Sequence, residues 1–437
     1  MIQELTMRNF KSFAGDHGTI KFGGLSLIVG TNASGKSNIR DGLRFLQGIS
    51  RGYTIAEIIG EKYVESGVLQ WKGIRGGVKE TVLRNLNPNG KFTIESRTRL
   101  LEEDQERGDI ATYTITIDAG DRSRPPVVAD EKLRIERNQW DTFQWERPRG
   151  SGQIEVCIAC RPIMNRAVPL GLATARPRAG LLLRSDRPAL TQIATLERVS
   201  ETVEVEAQKD CKAFLRSIAS VRFLDLDPNS LRKPSIPGQT VLGDRGENLS
   251  SVLQAICADP QSKEALIEWA RELTPLDVVD LKVPEVSLEG KIQLQIVESG
   301  GREISAESAS DGTLRFLAFA AAMLGTEPAR FYFFEEIENG IHPNRAHLLI
   351  DLLLKSTRKG TIQVTGTTHS PAMLNFLDAA ALRDASLVYR AGSVSKIRSF
   401  GDIPALWKVF PTSRAGELQG SGWFEDAATF LELEEQK

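Results

Sequence analysis

The stretch LSLIVGTNASGKS, residues 25–37, decides the fold that this sequence predicts. It begins as an apolar run, which predicts a buried strand, and continues as a glycine-rich turn that fits the pattern G-x-x-x-x-G-K-[ST]. A helix should begin near Lys36. Glycines at these positions let backbone amides turn inward around phosphate groups, and the amino terminus of the helix adds a partial positive charge. The sequence therefore predicts a phosphate-binding P-loop between a strand and a helix, within an α/β fold.

The residue types of this loop indicate which groups would hold a nucleotide. Lys36 is expected to reach the β and γ phosphates of ATP, and the hydroxyl of Ser37 is expected to bind Mg²⁺. A glycine turn that holds no nucleotide is the alternative. The predicted ATP-binding residues of the loop are Gly30, Asn32, Ser34, Gly35, Lys36, Ser37 and Asn38.

A second apolar run, FYFF at residues 331–334, ends in two adjacent acids, Glu335 and Glu336. At ~4 Å and an effective dielectric constant near 20, two like charges repel by about 4 kcal/mol, so the pair needs a cation, a shared proton or divergent side chains. Mg²⁺ bound through Ser37 and the phosphates can offset Glu335, while Glu336 directs the attacking water as the hydrolytic base. Two surface acids at a solvated strand end are the alternative.

Two further segments carry candidate phosphate ligands. SASDGT, residues 308–313, supplies hydroxyls and a helix amino terminus through Ser310, Gly312 and Thr313, although an ordinary helix cap accounts for the same residues. VTGTTHSP, residues 364–371, predicts a strand followed by His369 in a loop, with a proline suited to the start of the next helix. His369 is a candidate to sense or polarise the γ phosphate, and a structural histidine is the alternative.

Composition limits the class of protein. Of the 437 residues, 41% are hydrophobic and 26% are charged, and the formal net charge is -2. These values exclude a basic nucleic-acid coat and an acidic tail protein, so any DNA contact must be a local patch. The amino terminus has no apolar signal core, and the apolar stretch 316–324 is too short to cross a bilayer. We therefore expect a cytoplasmic protein with no membrane partner, and the four cysteines argue against a disulfide framework.

Patterning along the chain predicts four parts. Residues 1–90 form a first lobe, and residues 221–400 form a second lobe in which helices and strands alternate. Residues 91–220 are predicted as a mainly β insertion followed by a basic loop and a helix, because KFTIESRTRL and ATYTITIDAG alternate apolar and polar residues. Residues 401–437 form a C-terminal tail. The arginine-rich stretch 141–190 is the best candidate for contact with a nucleic-acid backbone, and a solvated loop or a partner interface is the alternative.

Taken in order, the motifs resemble those of the ABC-type ATPase heads of the SMC, RecF and OLD group. GTNASGKS is similar to their Walker A motif, SASDGT to their signature loop, FYFFEE to their Walker B motif, ENGIHP to their D-loop region and TTHSP to their switch histidine. The resemblance implies a P-loop NTPase fold with two lobes and a mixed β-sheet flanked by helices. It also implies an ATP-induced, head-to-tail homodimer, in which Ser310 of one subunit meets the γ phosphate held by the Walker A motif of the other.

Three departures from the group's patterns narrow the expected function. Glu335 stands where most ABC proteins have Asp, SDGT replaces the SGGQ of transporters, and the segment between the lobes is too short for the long coiled coil of SMC proteins. Too few residues follow Tyr389 for the TOPRIM nuclease domain of OLD-like proteins, so a separate effector or nuclease subunit is expected. The Q-loop residue is not assigned, and Gln70 is one candidate.

The resemblance and these departures together predict a Mg²⁺-dependent ATPase that switches a partner effector in bacterial anti-phage defence. A RecF-like DNA-repair ATPase that clamps DNA is one alternative. An ATP-binding scaffold with little turnover, which the longer arm of Glu335 leaves open, is the other.

Overall fold

Most strands of the chain belong to one antiparallel or one largely parallel sheet. The computed structural model describes residues 1–64, 67–83, 90–100, 108–121, 123–137, 141–148, 152–160, 181–197, 202–274, 276–409, 414–424 and 426–429. The strands are β1 (Ile2–Arg8), β2 (Thr19–Lys21), β3 (Leu25–Val29), β4 (Lys62–Tyr63), β5 (Leu69–Trp71), β6 (Lys91–Arg99), β7 (Ile110–Asp118), β8 (Val127–Ile135), β9 (Asp141–Pro148), β10 (Gln153–Cys160), β11 (Leu181–Arg184), β12 (Val221–Leu224), β13 (Val278–Lys282), β14 (Gln295–Glu298), β15 (Glu303–Ser305), β16 (Phe331–Phe334), β17 (Gln363–Thr368), β18 (Ser386–Ala391) and β19 (Val394–Ser399). The helices are α1 (Lys36–Ser50), α2 (Ile55–Ile59), α3 (Gly77–Thr81), α4 (Ala189–Ala194), α5 (Thr202–Ala219), α6 (Pro228–Leu231), α7 (Leu249–Cys257), α8 (Pro260–Leu273), α9 (Asp311–Leu324), α10 (Ala346–Thr357), α11 (Pro371–Leu374), α12 (Ala379–Asp384), α13 (Pro404–Val409) and α14 (Ala415–Gly420).

The chain forms two compact units. Unit 1 comprises Met1–Lys21, Asn32–Ser220 and Val388–Ile397. Unit 2 comprises Phe22–Thr31, Val221–Leu387 and Arg398–Lys437. The division falls inside the glycine-rich loop. The four-part division of the sequence stays a prediction.

Unit 1 is built on an antiparallel sheet with the strand order β11-β10-β9-β8-β7-β6-β1-β2. Alternate residues of β6 and β7 are buried, which confirms the β-structure predicted from the alternating sequence. Strand β6 pairs with β1, so the β-rich segment continues the sheet that begins at the amino terminus. Helix α5 packs on this sheet, where the rings of Tyr113 and Phe214 lie 5.0 Å apart. Helix α1 adds Phe45, whose ring lies 5.5 Å from that of Phe92.

Unit 2 is built on parallel strands in the order β12-β16-β17-β3, with the start of β18 next to β3. All residues of β3, β16 and β17 are buried, as parallel strands covered on both faces require. The register pairs Phe334 with Gly366 and Thr368 with Val29. The carboxyl ends of these three strands therefore lie along one edge of the sheet, where open α/β sheets bind ligands. The predicted α/β P-loop class is confirmed.

Three further expectations concern cysteines, membranes and the basic stretch. Cys157 is disulfide-bonded, and one bonded cysteine among the described residues is not the disulfide framework that the sequence argues against. Cys211 and Cys257 are free thiols. No helix in the described part of the chain is long and apolar enough to cross a membrane. Much of the arginine-rich stretch, including residues 161–180, lies outside the described residues.

Candidate functional site

The glycine-rich loop joins β3 to α1, and α1 begins at Lys36 as predicted. Gly35 precedes the helix with a φ of +116°, and a Cβ atom added there would lie 2.7 Å from Oγ of Ser395, so glycine is required. Asn38 Nδ2 donates to Ser12 Oγ at 2.7 Å, and Ser12 Oγ donates to Ser395 Oγ at 2.6 Å. Sequence reasoning does not identify Ser12 and Ser395 as supports of the loop, because 383 residues separate them.

One hydroxyl of the loop fits a phosphate ligand. Ser34 Oγ is buried and has no hydrogen-bond partner among the described residues. Such a group costs about 1–3 kcal/mol unless a ligand satisfies it. Helix α1 also has no side-chain cap at its amino terminus, where an anion is favoured. Around this position Gly30 is buried at the end of β3, Asn32 is exposed, Lys36 is buried and Ser37 is half-buried.

The turn after β16 holds Glu336 in an unusual conformation. Glu336 has a φ of +48°, its N–H donates to Thr367 Oγ1 at 2.9 Å, and Asn339 Nδ2 donates to its carboxylate. A positive φ costs a residue with a side chain about 1–3 kcal/mol and occurs where neighbouring contacts fix it, often at functional sites. Glu335 is half-buried, and its N–H donates to the carbonyl oxygen of Leu224 at 3.4 Å.

His369 lies directly after β17 and faces the turn of Glu336. Its Nε2 lies 3.8 Å from Oε1 of Glu336, so the structure brings these two predicted residues together. The N–H groups of His369 and Ser370 donate to Oε1 of Glu338 at 2.6 and 3.2 Å. Sequence analysis does not single out Glu338 or Thr367. Glu338 lies within ENGIHP, the segment that resembles the D-loop region, but the sequence gives no indication of what its side chain does.

The predicted signature loop forms the amino terminus of α9. Ser310 is the N-cap, because its Oγ accepts from the N–H of Thr313 at 3.2 Å and shares a 2.8 Å hydrogen bond with the hydroxyl of Thr313. Gly312 lies against Gly340 of the D-loop region, where an added Cβ atom would be 2.4 Å from the carbonyl oxygen of Gly340. Cavities of about 780 and 570 Å³ flank Ser310. The helix cap is therefore observed, and a role for Ser310 in phosphate binding stays a prediction.

Two family models match the segments that carry these motifs. A model described as "AAA domain" matches residues 4–55, which include the phosphate loop. A model described as "AAA domain, putative AbiEii toxin, Type IV TA system" matches residues 206–375, which include Ser310, both acids and His369. Residues 4–55 and 206–375 are therefore similar to AAA domains, each over less than half of the chain. The predicted resemblance to the ABC-type ATPases is confirmed by these two matches.

A curated relative and several solved structures are also similar to the chain. An ATP/GTP phosphatase of Helicobacter pylori is 25% identical over 168 residues, which are 36% of this chain and 43% of that protein. The match thus spans less than half of the relative's length. An Smc head bound to the C-winged helix domain of ScpA is 16% identical with a TM-score of 0.48, covering 93% of this chain and 99% of the other. The SMC head domain from Thermotoga maritima is 15% identical with a TM-score of 0.41, covering 91% and 98%. Because both TM-scores are below 0.5, the fold class is assigned from the sheets and the glycine-rich loop of the chain itself.

Gln70, the candidate Q-loop residue, lies on β5 and is exposed. Among the described residues, no contact of the Gln70 side chain indicates that it binds a ligand. Its role as the Q-loop residue stays a prediction.

Proposed function

We propose that this chain is a Mg²⁺-dependent ATPase that closes around ATP as a head-to-tail homodimer and switches a separate effector or nuclease subunit in bacterial anti-phage defence. The observation that carries the proposal is the approach of His369 Nε2 to within 3.8 Å of Glu336 Oε1. This pair lies at the sheet edge where β3 leads into the phosphate loop. A carboxylate and an imidazole at this edge suit a base for water and a sensor of the γ phosphate.

In the proposed reaction the residues around Glu336 position a water molecule and take up its proton. Glu336 accepts the proton, while Thr367 holds its backbone and Asn339 holds its carboxylate. The water oxygen attacks the γ phosphorus of ATP, the bond from that phosphorus to the β-phosphate oxygen breaks, and ADP and inorganic phosphate leave. Mg²⁺, which Ser37 and Glu335 would hold, would neutralise charge on the phosphates. His369 donates from its ring to the γ phosphate and so links the state of the nucleotide to the loop after β17.

Nucleotide binding in this proposal uses the residue types that suit phosphate and magnesium. Lys36 and the amino terminus of α1 bind phosphate oxygens, and Ser34 supplies its unpartnered hydroxyl. Ser37 and Glu335 are the proposed magnesium ligands, since hydroxyl and carboxylate oxygens are hard donors. The second subunit contributes Ser310, Gly312 and Thr313 of its signature loop.

The description of the matched family model favours defence over repair. It names a putative AbiEii toxin and a Type IV toxin–antitoxin system for the family that matches residues 206–375. The name supports a role in defence but applies the word toxin to the matched domain itself, so the separate effector subunit follows only from the expectation drawn from the sequence. We therefore place defence before DNA clamping in the proposal.

Glu336→Gln tests the proposed base. Wild type should release phosphate from ATP, and the variant should lose turnover on the order of a hundredfold or more, because the amide keeps the shape of the side chain but cannot take a proton. ATP affinity should be retained. Phosphate release and equilibrium ATP binding are the two measurements.

Glu327→Gln is the matched control. Glu327 is an exposed glutamate of unit 2, the unit that also contains Glu336, and it lies outside every predicted motif. Its turnover should equal that of wild type. A wild type that binds ATP without turnover, with no change on Glu336→Gln, would reject hydrolysis and favour the scaffold.

A further inference from the structure

The loop that carries His369 is anchored through its backbone to one carboxylate oxygen. The N–H groups of His369 and Ser370 both donate to Oε1 of Glu338, at 2.6 and 3.2 Å. The N–H of Ser370 also reaches Oγ1 of Thr368 at 3.0 Å. A charged acceptor strengthens such bonds about twofold over a neutral one. Glu338 is therefore a polar anchor of the loop immediately after β17.

The same glutamate belongs to the turn that presents Glu336. The N–H of Ile337 donates to the carbonyl oxygen of Thr367 at 3.0 Å, and the N–H of Glu336 donates to the hydroxyl of the same threonine at 2.9 Å. Residues 336–338 and 367–370 are thus joined by hydrogen bonds in both directions. His369 and Glu336 belong to these two segments, so the hydrogen bonds between the segments help to fix the 3.8 Å separation of His369 Nε2 and Glu336 Oε1.

If Glu338 had only a structural role, its carboxylate would lower the stability of the fold through its second oxygen. Oε2 of Glu338 is buried and has no hydrogen-bond partner among the described residues. A buried polar atom without a partner destabilises a protein by about 1–3 kcal/mol, and such an atom in a native fold calls for an explanation. An apolar contact at this point would avoid the cost but would leave the two N–H groups without an acceptor.

The geometry points to Glu338 as a positioning residue of the proposed hydrolysis, which holds His369 toward Glu336 by fixing the backbone of residues 369 and 370. This inference rests on the proposed function, since it assigns the group that places the switch histidine. Glu338 does not touch the reacting atoms. Its effect on turnover acts through His369.

Three variants test the assignment. Glu338→Ala should lower kcat for ATP by about tenfold to a hundredfold with the KM for ATP little changed, because it releases the loop of His369 but leaves Lys36 and Ser37 of the glycine-rich loop unaltered. Glu338→Gln should recover most of the lost kcat, since its amide oxygen still accepts from both N–H groups. Glu327→Ala removes an exposed glutamate of the same unit and should leave kcat unchanged.

A double-mutant cycle separates positioning from general destabilisation. In a His369→Ala background, Glu338→Ala should cause no further loss of kcat, because the residue it positions is already absent. Independent losses that multiply in the double variant would overturn the inference. So would a Glu338→Gln variant as impaired as Glu338→Ala.

Amide hydrogen exchange gives a readout that does not depend on turnover. The amide of His369 should exchange faster in Glu338→Ala than in wild type, and Glu338→Gln should restore its protection. A wild type that does not hydrolyse ATP would reject the proposed function, and exchange would then decide alone whether Glu338 anchors the loop. Unchanged exchange in Glu338→Ala would reject the anchor even if ATP is hydrolysed.

Discussion

Gly312, in the first turn of α9, meets Gly340 with no room for a side chain. A Cβ atom added to Gly312 would lie 2.4 Å from the carbonyl oxygen of Gly340, closer than real Cβ atoms come. Gly340 itself has a φ of +72°, and a Cβ atom there would lie 2.9 Å from Cδ of Arg315. The glycine of the signature loop is thus required for packing against the D-loop region, independently of any contact with phosphate.

We expect Gly312→Ala to lower the free energy of unfolding by about 1–3 kcal/mol, because the backbone of α9 or of the turn at Gly340 must move. The helix propensity of alanine, about 1 kcal/mol better than that of glycine, opposes this loss and is the smaller effect. Gly300→Ala is the matched control, since no atom lies within 4 Å of its added Cβ. Denaturant titration measures both variants. Wild-type stability in Gly312→Ala would show that the two segments separate without cost.

At the scale of elements, β8 and α4 meet at a buried carboxylate. Glu131 accepts from the N–H groups of Ala189 and Leu190 at 2.6 and 3.0 Å and from the hydroxyl of Tyr113 at 2.8 Å. It thereby caps α4, which has no side-chain cap of its own at Pro188. Burial raises the pKa of Glu131 to about 7 despite these three hydrogen bonds, which favour the charged form. Burial also raises the pKa of Tyr113 well above its ordinary value.

The raised pKa of Glu131 predicts a pH dependence of stability. Because the folded-state pKa of about 7 lies above the unperturbed 4.5, the folded chain binds the extra proton between these values. The stability that this group contributes is complete below pH 4.5 and is lost as the pH rises to about 7. The free energy of unfolding of wild type relative to Glu131→Gln should fall by about 3 kcal/mol across this window and then stay constant.

Urea denaturation at a series of pH values measures this difference. Glu136→Gln serves as the control, because Glu136 follows the same strand with a side chain that is 51% exposed, and its substitution should leave the profile unchanged. A difference between wild type and Glu131→Gln that does not vary with pH would show that the buried carboxylate has the same charge in both states.

Local patterns predict the elements whose cause is local. The alternation in β6 and β7 predicts antiparallel strands, and the glycine-rich loop predicts a helix that begins at Lys36. Local patterns do not predict strand order, because the pairing of β6 with β1 joins segments about ninety residues apart in sequence. Glu338 and Glu131 act on backbone groups 31 and 58 residues away, so one sequence does not reveal their partners. The positive φ of Glu336 likewise depends on contacts with β17.

For the whole molecule, the proposed cycle requires assembly to follow the nucleotide. Each chain carries the glycine-rich loop and the segment predicted as the signature loop, so a head-to-tail pair of chains would complete two equivalent sites. Glu336→Gln should be a dimer in multi-angle light scattering with ATP and Mg²⁺, because the nucleotide that joins the subunits is not consumed. Lys36→Ala is the control and should stay monomeric, since it lacks the ammonium group that is proposed to hold the β and γ phosphates. A monomeric Glu336→Gln protein with ATP bound would contradict the head-to-tail homodimer.

The ATP-bound Glu336→Gln protein also tests which class of partner the ATPase is proposed to switch. A state held by ATP should retain any subunit that prefers it, because a ligand shifts an equilibrium only by its differential affinity for the two states. We therefore expect Glu336→Gln, expressed with its native flanking genes and purified in ATP, to retain a nuclease or toxin in stoichiometric amount by mass spectrometry, and Lys36→Ala to lose it. The net charge of -2 gives the chain little general attraction for nucleic acid. Recovery of DNA alone, with binding that weakens steeply as salt rises, would contradict the effector model and favour a repair clamp.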